Sequence, residues 1–286
     1  MKWLKQISKF LHLIFSNTKS AIGFSVILFF IALAILGPLF FTYDGMTLGA
    51  SQFLPPSGDH WLGTDYLGRD VLQMLINGTG DVLAIAFLTG VITVVIGTIL
   101  GILSAYIGGW FDKIIQMITN LFLTIPSFPI LMVLATIITI NNNFVFALIL
   151  SLWGWAGLCR AVRAQIVSLK ERDFIQICKV MNMSKTHIVS KELLPNIASY
   201  ILINFIMIMR SAITGSVGLM MLGVAAFEPS NWGAMIFDIM NQGTFYIESA
   251  RAYLISPIAF IVIFQFGIIM LANGLDEKLN PRLIKN

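Results

Sequence analysis

The sequence predicts an all-α polytopic membrane protein with six transmembrane helices. Its 286 residues are 57% hydrophobic and only 11% charged, with a mean hydropathy of +0.87. Soluble domains carry about 25% charged residues, so this composition excludes an ordinary soluble domain. Two further observations support the prediction: long apolar runs recur along the chain, and Lys and Arg concentrate in alternate segments between them.

Six apolar runs are candidate spans, because a helix needs about 20 mostly apolar residues to cross the hydrocarbon core. The first run is not expected to be a cleavable signal peptide, since it is longer than the usual apolar core and no A-x-A-like site follows Pro38. An even number of spans places both termini on one side. The runs cover residues 21–41, 82–106, 114–140, 144–158, 197–224 and 253–273.

The basic residues set the expected orientation, because Lys and Arg near spans prefer the cytoplasm. They concentrate before the first span, after the last span and in residues 159–196, and Lys113 lies between the second and third spans, whereas acidic residues dominate segments 42–81 and 225–252. We therefore expect both termini and segment 159–196 in the cytoplasm. The pI of about 9.1 then reflects topology, and nucleic-acid binding is not expected.

Segment 159–196 contains a short amphipathic helix. Its apolar residues recur at i, i+3, i+4 and i+7, and Asn182 follows them, a residue type that tolerates the left-handed conformation ending many helices. A second helix from about Lys185 is expected to stop at Pro195. Periodicity leaves two interpretations open, a helix on the lipid headgroups or one laid into a partner's groove. The apolar positions are Phe174, Ile177, Cys178 and Met181.

This segment resembles the cytoplasmic loop of ATP-binding-cassette importer permeases. The family pattern runs E-A-A, three residues, G, nine residues, I-x-L-P. Spacing is kept here while several identities differ. The matching positions are Gln176, Ile177 and Cys178 for E-A-A, Asn182 for the glycine, Glu192 for the isoleucine, and Leu194 with Pro195 at the end.

Four further stretches resemble one subfamily, the dipeptide, oligopeptide and nickel permeases, and occur in its order. Residues 60–72, HWLGTDYLGRDVL, are close to H-x-L-G-T-D-x-L-G-R-D-V-L. Residues 153–170 resemble W-x-x-x-x-R-x-x-R-A-Q, and residues 231–236 resemble S-W-G-x-M-I. The end of the chain is similar to G-x-L-R-D-x-L-D-P-R, although Asp276 and Asn280 replace the expected Arg and Asp.

The resemblance implies a division of labour among subunits in a bacterial inner membrane. Two permeases, here expected to be a heterodimer, form the pore, and this chain supplies half of it. Two ATP-binding subunits dock on the cytoplasmic loops and carry ATP and Mg, so no cofactor is expected in this chain. An extracytoplasmic substrate-binding protein delivers a peptide, a nickel chelate or a related small solute.

The implied organisation divides the chain as follows. A cytoplasmic N-terminus covers residues 1–20, the first transmembrane helix 21–41 and an extracytoplasmic segment 42–81. The transmembrane permease domain covers residues 82–275 and includes the coupling loop 159–196. Residues 276–286 form a cytoplasmic tail.

Absent motifs weigh against other functions. The sequence has no G-x-x-x-x-G-K-[ST] loop to hold ATP phosphates, so ATP hydrolysis is expected on other chains. Two cysteines without His in metal spacing do not predict a zinc site, and no paired catalytic groups indicate an enzyme. A self-contained channel or ion-coupled carrier is the competing class, but it usually needs several intramembrane acids.

Two prolines interrupt the third span. Pro126 and Pro129 each remove a backbone donor and clash with the carbonyl four residues earlier. Freed carbonyls at membrane depth need protein or a water-filled cavity to satisfy them. A pore-lining kink and a kink that serves packing are both consistent with the sequence.

Arg210 is a formal charge well inside a predicted span. Placing it at the bilayer centre costs at least about 2.5 kcal/mol, so it should face a polar cavity or a partner. One hypothesis is that it faces the translocation path and attracts an anionic ligand group. The alternative is an ion pair or hydrogen bonds to carbonyls of another subunit. By analogy with the family, Ser216 stands where an acidic residue is often found in the path.

Two glycines in the second span predict a close contact between helices. Gly97 and Gly101 form a G-x-x-x-G pattern that favours close packing within the subunit, with contact to a partner permease as the alternative.

Thr64 or Asp65 is expected to cap a helix running toward residue 76. Arg69 is expected to form an exposed pair with Asp65 or Asp70. The aromatic residues between positions 227 and 253 are expected at the headgroups or on a receptor contact.

Overall fold

The computed structural model describes residues 14–43, 51–223 and 228–279. Most of these residues are helical, whereas residues 51–70 form an irregular segment with one isolated β-bridge between Thr64 and Asp70. Several predictions lie outside the described residues. These are the first three N-terminal lysines, the motif positions after residue 279, the end of the fifth span at Val224 and the first residue of the second outer segment.

Nine helices account for the described part of the chain. Five are long and apolar enough to cross a membrane, and a bent pair, α3 with α4, provides a sixth span, so the structure confirms the predicted six-span fold. The helices are α1 Thr18–Phe40, α2 Val71–Ile107, α3 Gly109–Thr124, α4 Ser127–Ile137, α5 Asn143–Lys170, α6 Asp173–Val180, α7 Lys185–Met221, α8 Trp232–Asn241 and α9 Arg251–Leu279.

Helix α1 packs on α9 by direct backbone contact. A Cβ at Gly23 would lie 2.2 Å from the Leu271 amide nitrogen, and one at Gly274 would lie 2.4 Å from the Ser20 amide nitrogen. Small residues let membrane helices approach this closely. The same pair is closed at one end by a bond from Lys19 to Glu277. The sequence did not predict this contact, and Gly274 stood out only as the first position of the terminal G-x-L-R-D-x-L-D-P-R motif.

Helix α2 begins eleven residues earlier than predicted, at Val71. The expected cap at Thr64 or Asp65 is wrong. Asp70 is the N-cap, and its side chain accepts a hydrogen bond from the Gln73 amide. Asp65 instead accepts from the Leu67 and Arg69 backbone amides, in a turn that precedes the helix.

The G-x-x-x-G glycines of α2 face α5. A Cβ at Gly97 would lie 2.9 Å from the Trp155 carbonyl oxygen, and one at Gly101 would lie 2.7 Å from the Cys159 carbonyl oxygen. This confirms packing within the subunit, since both contacts are made by the chain itself. It also explains why α2 and α5 form the most extensive helix pair in the described residues.

Replacing Gly101 with Leu is expected to lower the thermal unfolding midpoint of the purified protein. Overpacking costs typically about 1–3 kcal/mol, and the nearest obstruction here is backbone, which cannot yield as a flexible side chain does. Gly80→Leu on the same helix is the matched control, because a Cβ at Gly80 meets no atom within 4 Å. Equal midpoints for the two variants would contradict the close α2–α5 contact.

Candidate docking surface and membrane cavity

Helix α6 stands at one end of the bundle, here called the α6 end, and divides into a buried and an exposed side. Ile175 and Cys178 are buried in an apolar cluster with residues of α2, α5 and α7. The exposed side carries apolar side chains, which we call the α6 rim. Its members and their exposed fractions are Phe174 36%, Ile177 57%, Val180 86% and Met181 64%.

The rim corrects the predicted apolar face in two respects. Cys178 points into the protein, so it is not available to a partner. Val180, which the i, i+3, i+4, i+7 pattern omitted, is the most exposed member. The helix is apolar on two adjacent faces, and helical periodicity alone does not show which face is buried and which is exposed. Ile175 and Cys178, three residues apart, were the signal for an inward face.

The end of α6 is a Schellman motif. The Met183 amide donates to the Cys178 carbonyl at 3.0 Å, and the Asn182 amide donates to the Lys179 carbonyl at 3.0 Å. Asn182 has φ +54°, which confirms the left-handed helix end predicted from its residue type. The turn therefore has a defined geometry, and the chain leaves α6 in a fixed direction.

Side-chain bonds attach α6 to the neighbouring spans. Gln176, at the first position of the E-A-A pattern, donates from Nε2 to the Lys170 carbonyl at 2.7 Å. Lys170 in turn donates from Nζ to the Ala105 carbonyl at 2.7 Å. These bonds and the buried cluster connect α6 to the ends of α5 and α2, so a displacement of α6 must move those ends.

Pro195 does not end the second helix, contrary to the prediction. Residues Ile188–Leu193 form a π-helical turn, in which the Leu194 amide donates to the Val189 carbonyl five residues earlier. Proline clashes with the carbonyl four residues earlier in a regular α-helix, and a wider turn before it relieves that conflict. Leu194 is 39% exposed, and helix α7 runs on without interruption to residue 221.

The third span is broken between α3 and α4, which meet at 88°. Pro126 is the N-cap of α4 and lines a cavity at the break. Pro129 lies in the first turn of α4, where a missing N–H is tolerated, and it does not line the cavity. The structure thus confirms the interruption and separates the positions of the two prolines.

The cavity at this break has a volume of about 510 Å³. Helices α2, α3, α4, α5 and α7 all contribute to its wall, and most lining side chains are apolar or aromatic. Its size falls within the range of about 300–1,000 Å³ for small-molecule sites. Among the described residues that line it, none is charged.

The two predicted path residues on α7 lie away from this cavity. Ser216 is 4% exposed, donates to the Ile213 carbonyl at 3.0 Å and does not line this cavity, so its place in the path stays a prediction. Arg210 is half-buried and also absent from the cavity wall. Its Nε is buried without a hydrogen-bond partner in the described residues.

Arg210 therefore fits either of its two sequence-based interpretations. It forms no ion pair with any described residue of this chain. One turn further along α7, Thr214 accepts a hydrogen bond from Gln265 Nε2 of α9 at 3.1 Å. Arg210 thus lies on a stretch of α7 that also carries the polar Ser211 and Thr214.

The opposite end of the bundle carries a buried ion pair. Asp65 accepts from the Leu67 amide at 2.9 Å, the Arg69 amide at 2.8 Å and Arg69 Nε at 2.7 Å. The structure confirms Asp65 as the predicted partner of Arg69, but the two side chains are 0% and 5% exposed, so the prediction that the pair is exposed is wrong. Burial also raises the pKa of the neighbouring Asp238 carboxyl.

Trp232 at this end is a core residue and not a headgroup anchor as expected. It is fully buried among Phe30, Phe260 and Phe264. Its Nε1 donates to the Leu75 carbonyl at 3.1 Å, which satisfies the indole as buried tryptophans require. Helix α8 is thereby fixed to α1, α2 and α9.

Comparison with known proteins decides the family. Residues 97–285 match the family described as binding-protein-dependent transport system inner membrane component. The chain belongs to this family. It is 30% identical to the oligopeptide transport system permease protein OppC of Bacillus subtilis (strain 168), over 94% of this chain and 88% of that protein.

Two further relatives are equally well covered. The oligopeptide permease protein OppC of Mycobacterium bovis (strain ATCC BAA-935 / AF2122/97) is 31% identical over 90% of this chain and 88% of its own length. The dipeptide permease protein DppC of Alkalihalophilus pseudofirmus (strain ATCC BAA-2126 / JCM 17055 / OF4) is 30% identical over 93% of this chain and 87% of its own length. The permease is therefore a transport component and not an enzyme.

The family match extends over part of the described features of this permease. Residues 97–285 include α6, Arg210 and the bent third span, whereas motif 60–72 and the first part of α2 precede them. The cavity draws on both regions, because Thr89 and Thr93 of α2 line it with residues of α3, α4, α5 and α7. Sequence reasoning missed these two threonines, since a hydroxyl in an apolar run does not show which helix it will face.

Proposed function

We propose that this permease forms half of the translocation pore of an ATP-driven importer of peptides. Each relative described above is a peptide permease by name, which favours peptides over a nickel chelate. The pore would be completed by a second permease, a different chain. A substrate-binding protein would deliver the peptide, and two ATP-binding subunits would carry ATP and Mg.

The α6 rim is the observation that carries the proposal. Four large apolar side chains stand exposed on one short helix and its C-cap at the end of the bundle. Exposed apolar patches on proteins usually mark interaction sites. The sequence contains no phosphate-binding loop of its own. A docked ATPase accounts for both features, because it covers the rim and supplies the missing energy source.

The proposal includes an orientation. The α6 end would face the cytoplasm together with both termini, with residues 1–20 and 276–286 as cytoplasmic segments and residues 42–81 on the outer side. The basic residues that surround α6 support it, because positive charge prefers the cytoplasmic side. In this arrangement α8 and the buried Asp65–Arg69 pair close the outer end of the bundle.

The connections of α6 suggest how the motor moves the pore. ATPase closure would push on the rim, and the buried Ile175 and Cys178 would pass the displacement to α5 and α7. Because the Schellman turn is fixed and α7 continues directly into the fifth span, little of that motion would be lost in a flexible loop. Alternating access would then follow from rocking one bundle against its partner.

Reconstituted transport tests this function against the ion-coupled alternative. The permease is placed in liposomes with its proposed partner subunits, and import of a radiolabelled tripeptide is measured with and without ATP and the binding protein. We expect import only when both are present. Import that proceeds without ATP and follows an imposed proton gradient would contradict the proposal and favour a self-contained carrier.

A further inference from the structure

The cavity at the broken third span contains polar atoms that the protein itself leaves unsatisfied. Thr89 and Thr93 are 3% and 0% exposed, both line the cavity, and neither hydroxyl has a hydrogen-bond partner in the described residues. The indole Nε1 of Trp153, also on the wall, is buried and unpartnered as well. Three such atoms at one cavity need an explanation, because buried polar groups are ordinarily hydrogen-bonded.

Several other hydroxyls in these helices show the usual solution, whereas Thr98 of α2, outside this cavity, is also buried without a partner in the described residues. Thr79 on the same helix donates to the Leu75 carbonyl at 2.7 Å, and Ser211 on α7 donates to the Met207 carbonyl at 3.1 Å. Thr89 and Thr93 instead remain free at the cavity wall. An unpaired buried hydroxyl costs about 1–3 kcal/mol, so these groups favour an occupant with hydrogen-bonding atoms.

The rest of the wall defines what that occupant can be. Phe122, Phe128, Leu131 and Leu150 are among the apolar lining residues, and none of the lining residues is charged. A charged group would be desolvated there without a counterion, which is strongly unfavourable. The volume of about 510 Å³ admits a large side chain together with the backbone next to it. The chemistry matches a neutral apolar side chain beside a peptide amide.

We propose that this cavity is a transit site for one neutral apolar side chain of an imported peptide, with Thr89, Thr93 and Trp153 bonding the adjacent amide. The inference rests on the proposed peptide import and adds a selectivity to it. The broken span takes part in the site, because α3, the bend at Pro126 and α4 all contribute to its wall together with α2, α5 and α7.

Gly215 offers a way to fill the cavity. It lines the wall, and a Cβ there would meet a single side-chain atom, of Leu150, at 3.4 Å, an ordinary contact. Gly157→Leu is the matched control on α5, because a Cβ at that position meets nothing within 4 Å. Each variant is reconstituted with the complete transporter, and copurification of all subunits is checked first.

Two labelled peptides are compared, tri-alanine and alanyl-phenylalanyl-alanine. Gly215→Leu is expected to reduce import of the phenylalanine peptide about tenfold or more, the range over which apolar pockets discriminate, while tri-alanine import continues at the wild-type rate. Gly157→Leu is expected to change neither. Equal loss of both peptides in Gly215→Leu, or loss of neither, would overturn the transit site.

A second variant decides the matter even where Gly215→Leu fails to assemble. The double variant Thr89→Val, Thr93→Val keeps the side-chain shape and removes both hydroxyls, so its thermal stability is expected to equal or exceed the wild type while import of both peptides falls. Unchanged import would overturn the site. A wild-type complex that imports neither peptide would instead contradict the proposed function, which keeps the two failures distinct.

Discussion

The Ile177→Asp variant is expected to insert into the membrane normally but to lose association with the ATP-binding subunits. Ile177 lies within the α6 rim and is 57% exposed, so the change disturbs no buried contact of the permease itself. In a docked complex the new carboxylate would be buried without a partner, and an uncompensated buried charge costs about 3–5 kcal/mol. Copurification of the ATPase from detergent extracts measures the effect.

Phe174→Asp is expected to act in the same direction from the other end of the rim. Lys179→Ala is the control, because it changes the charge by the same amount on the polar side of α6, where Lys179 makes only a 3.4 Å contact with Gln176. Normal recovery of the ATPase with Ile177→Asp, or equal loss with the Lys179 control, would show that the rim is not the docking surface.

Asp65→Ala is expected to destabilise the permease by about 3–5 kcal/mol, the usual cost of breaking a buried ion pair. The substitution leaves the Arg69 guanidinium buried without its counterion and leaves the Leu67 and Arg69 amides without their acceptor. Thermal unfolding of the purified protein measures the loss. Asp65→Asn retains an acceptor oxygen but not the charge, so its effect should be smaller.

A surface pair provides the comparison for this prediction. Glu248 and Arg251 form an ion pair in which both side chains are at least 70% exposed. Glu248→Ala is therefore expected to cost under about 1 kcal/mol. An Asp65→Ala variant that loses no more than Glu248→Ala would mean that the pair at positions 65 and 69 is hydrated, and it would contradict the buried site in the structure.

The number of spans could be predicted from the sequence, but several of their ends could not. Helix α2 starts at Val71 although residues 77–81, NGTGD, interrupt its apolar run. Tertiary contacts compensate: Asn77 donates to the Phe41 carbonyl at 2.8 Å, and a Cβ at Gly78 would lie 1.8 Å from the Ser230 carbonyl oxygen. A hydropathy profile cannot reveal these contacts, because Phe41 lies 36 residues from Asn77 and Ser230 lies more than 150 residues from Gly78 in the sequence.

The same limit explains the length of α5, which continues from residue 158 to Lys170. Arg160 and Arg163 end the apolar run in the sequence. In the structure the helix continues past them, because Arg160 donates a hydrogen bond to Asn120 and Arg163 donates two to Asp112, both on α3. On α6 the residue type of Asn182 was enough to predict the helix end, because the left-handed conformation is a local property. Whether Cys178 faces inward depends on partners from other helices.

At the broken third span the sequence predicted the interruption but not the cavity beside it. Two prolines three residues apart predicted the interruption, since each acts on its own backbone. The cavity behind the break depends on how five helices meet, and its unpaired hydroxyls cannot be told from back-bonded ones by sequence. Ser216 shows a related limit: analogy assigned it to the path, but burial and its bond to the Ile213 carbonyl, which the sequence does not reveal, keep it off the wall of this cavity.

The central claim is that the α6 rim contacts the ATP-binding subunits, and site-specific cross-linking measures that contact most directly. A Val180→Cys variant, at the most exposed rim position, is treated with a thiol-to-amine cross-linker in membranes that contain the whole transporter. The native Cys159 and Cys178 are buried and provide the background. The account predicts a product joining the permease to an ATP-binding subunit; labelling of Val180→Cys that yields no such product in an assembled complex would contradict it.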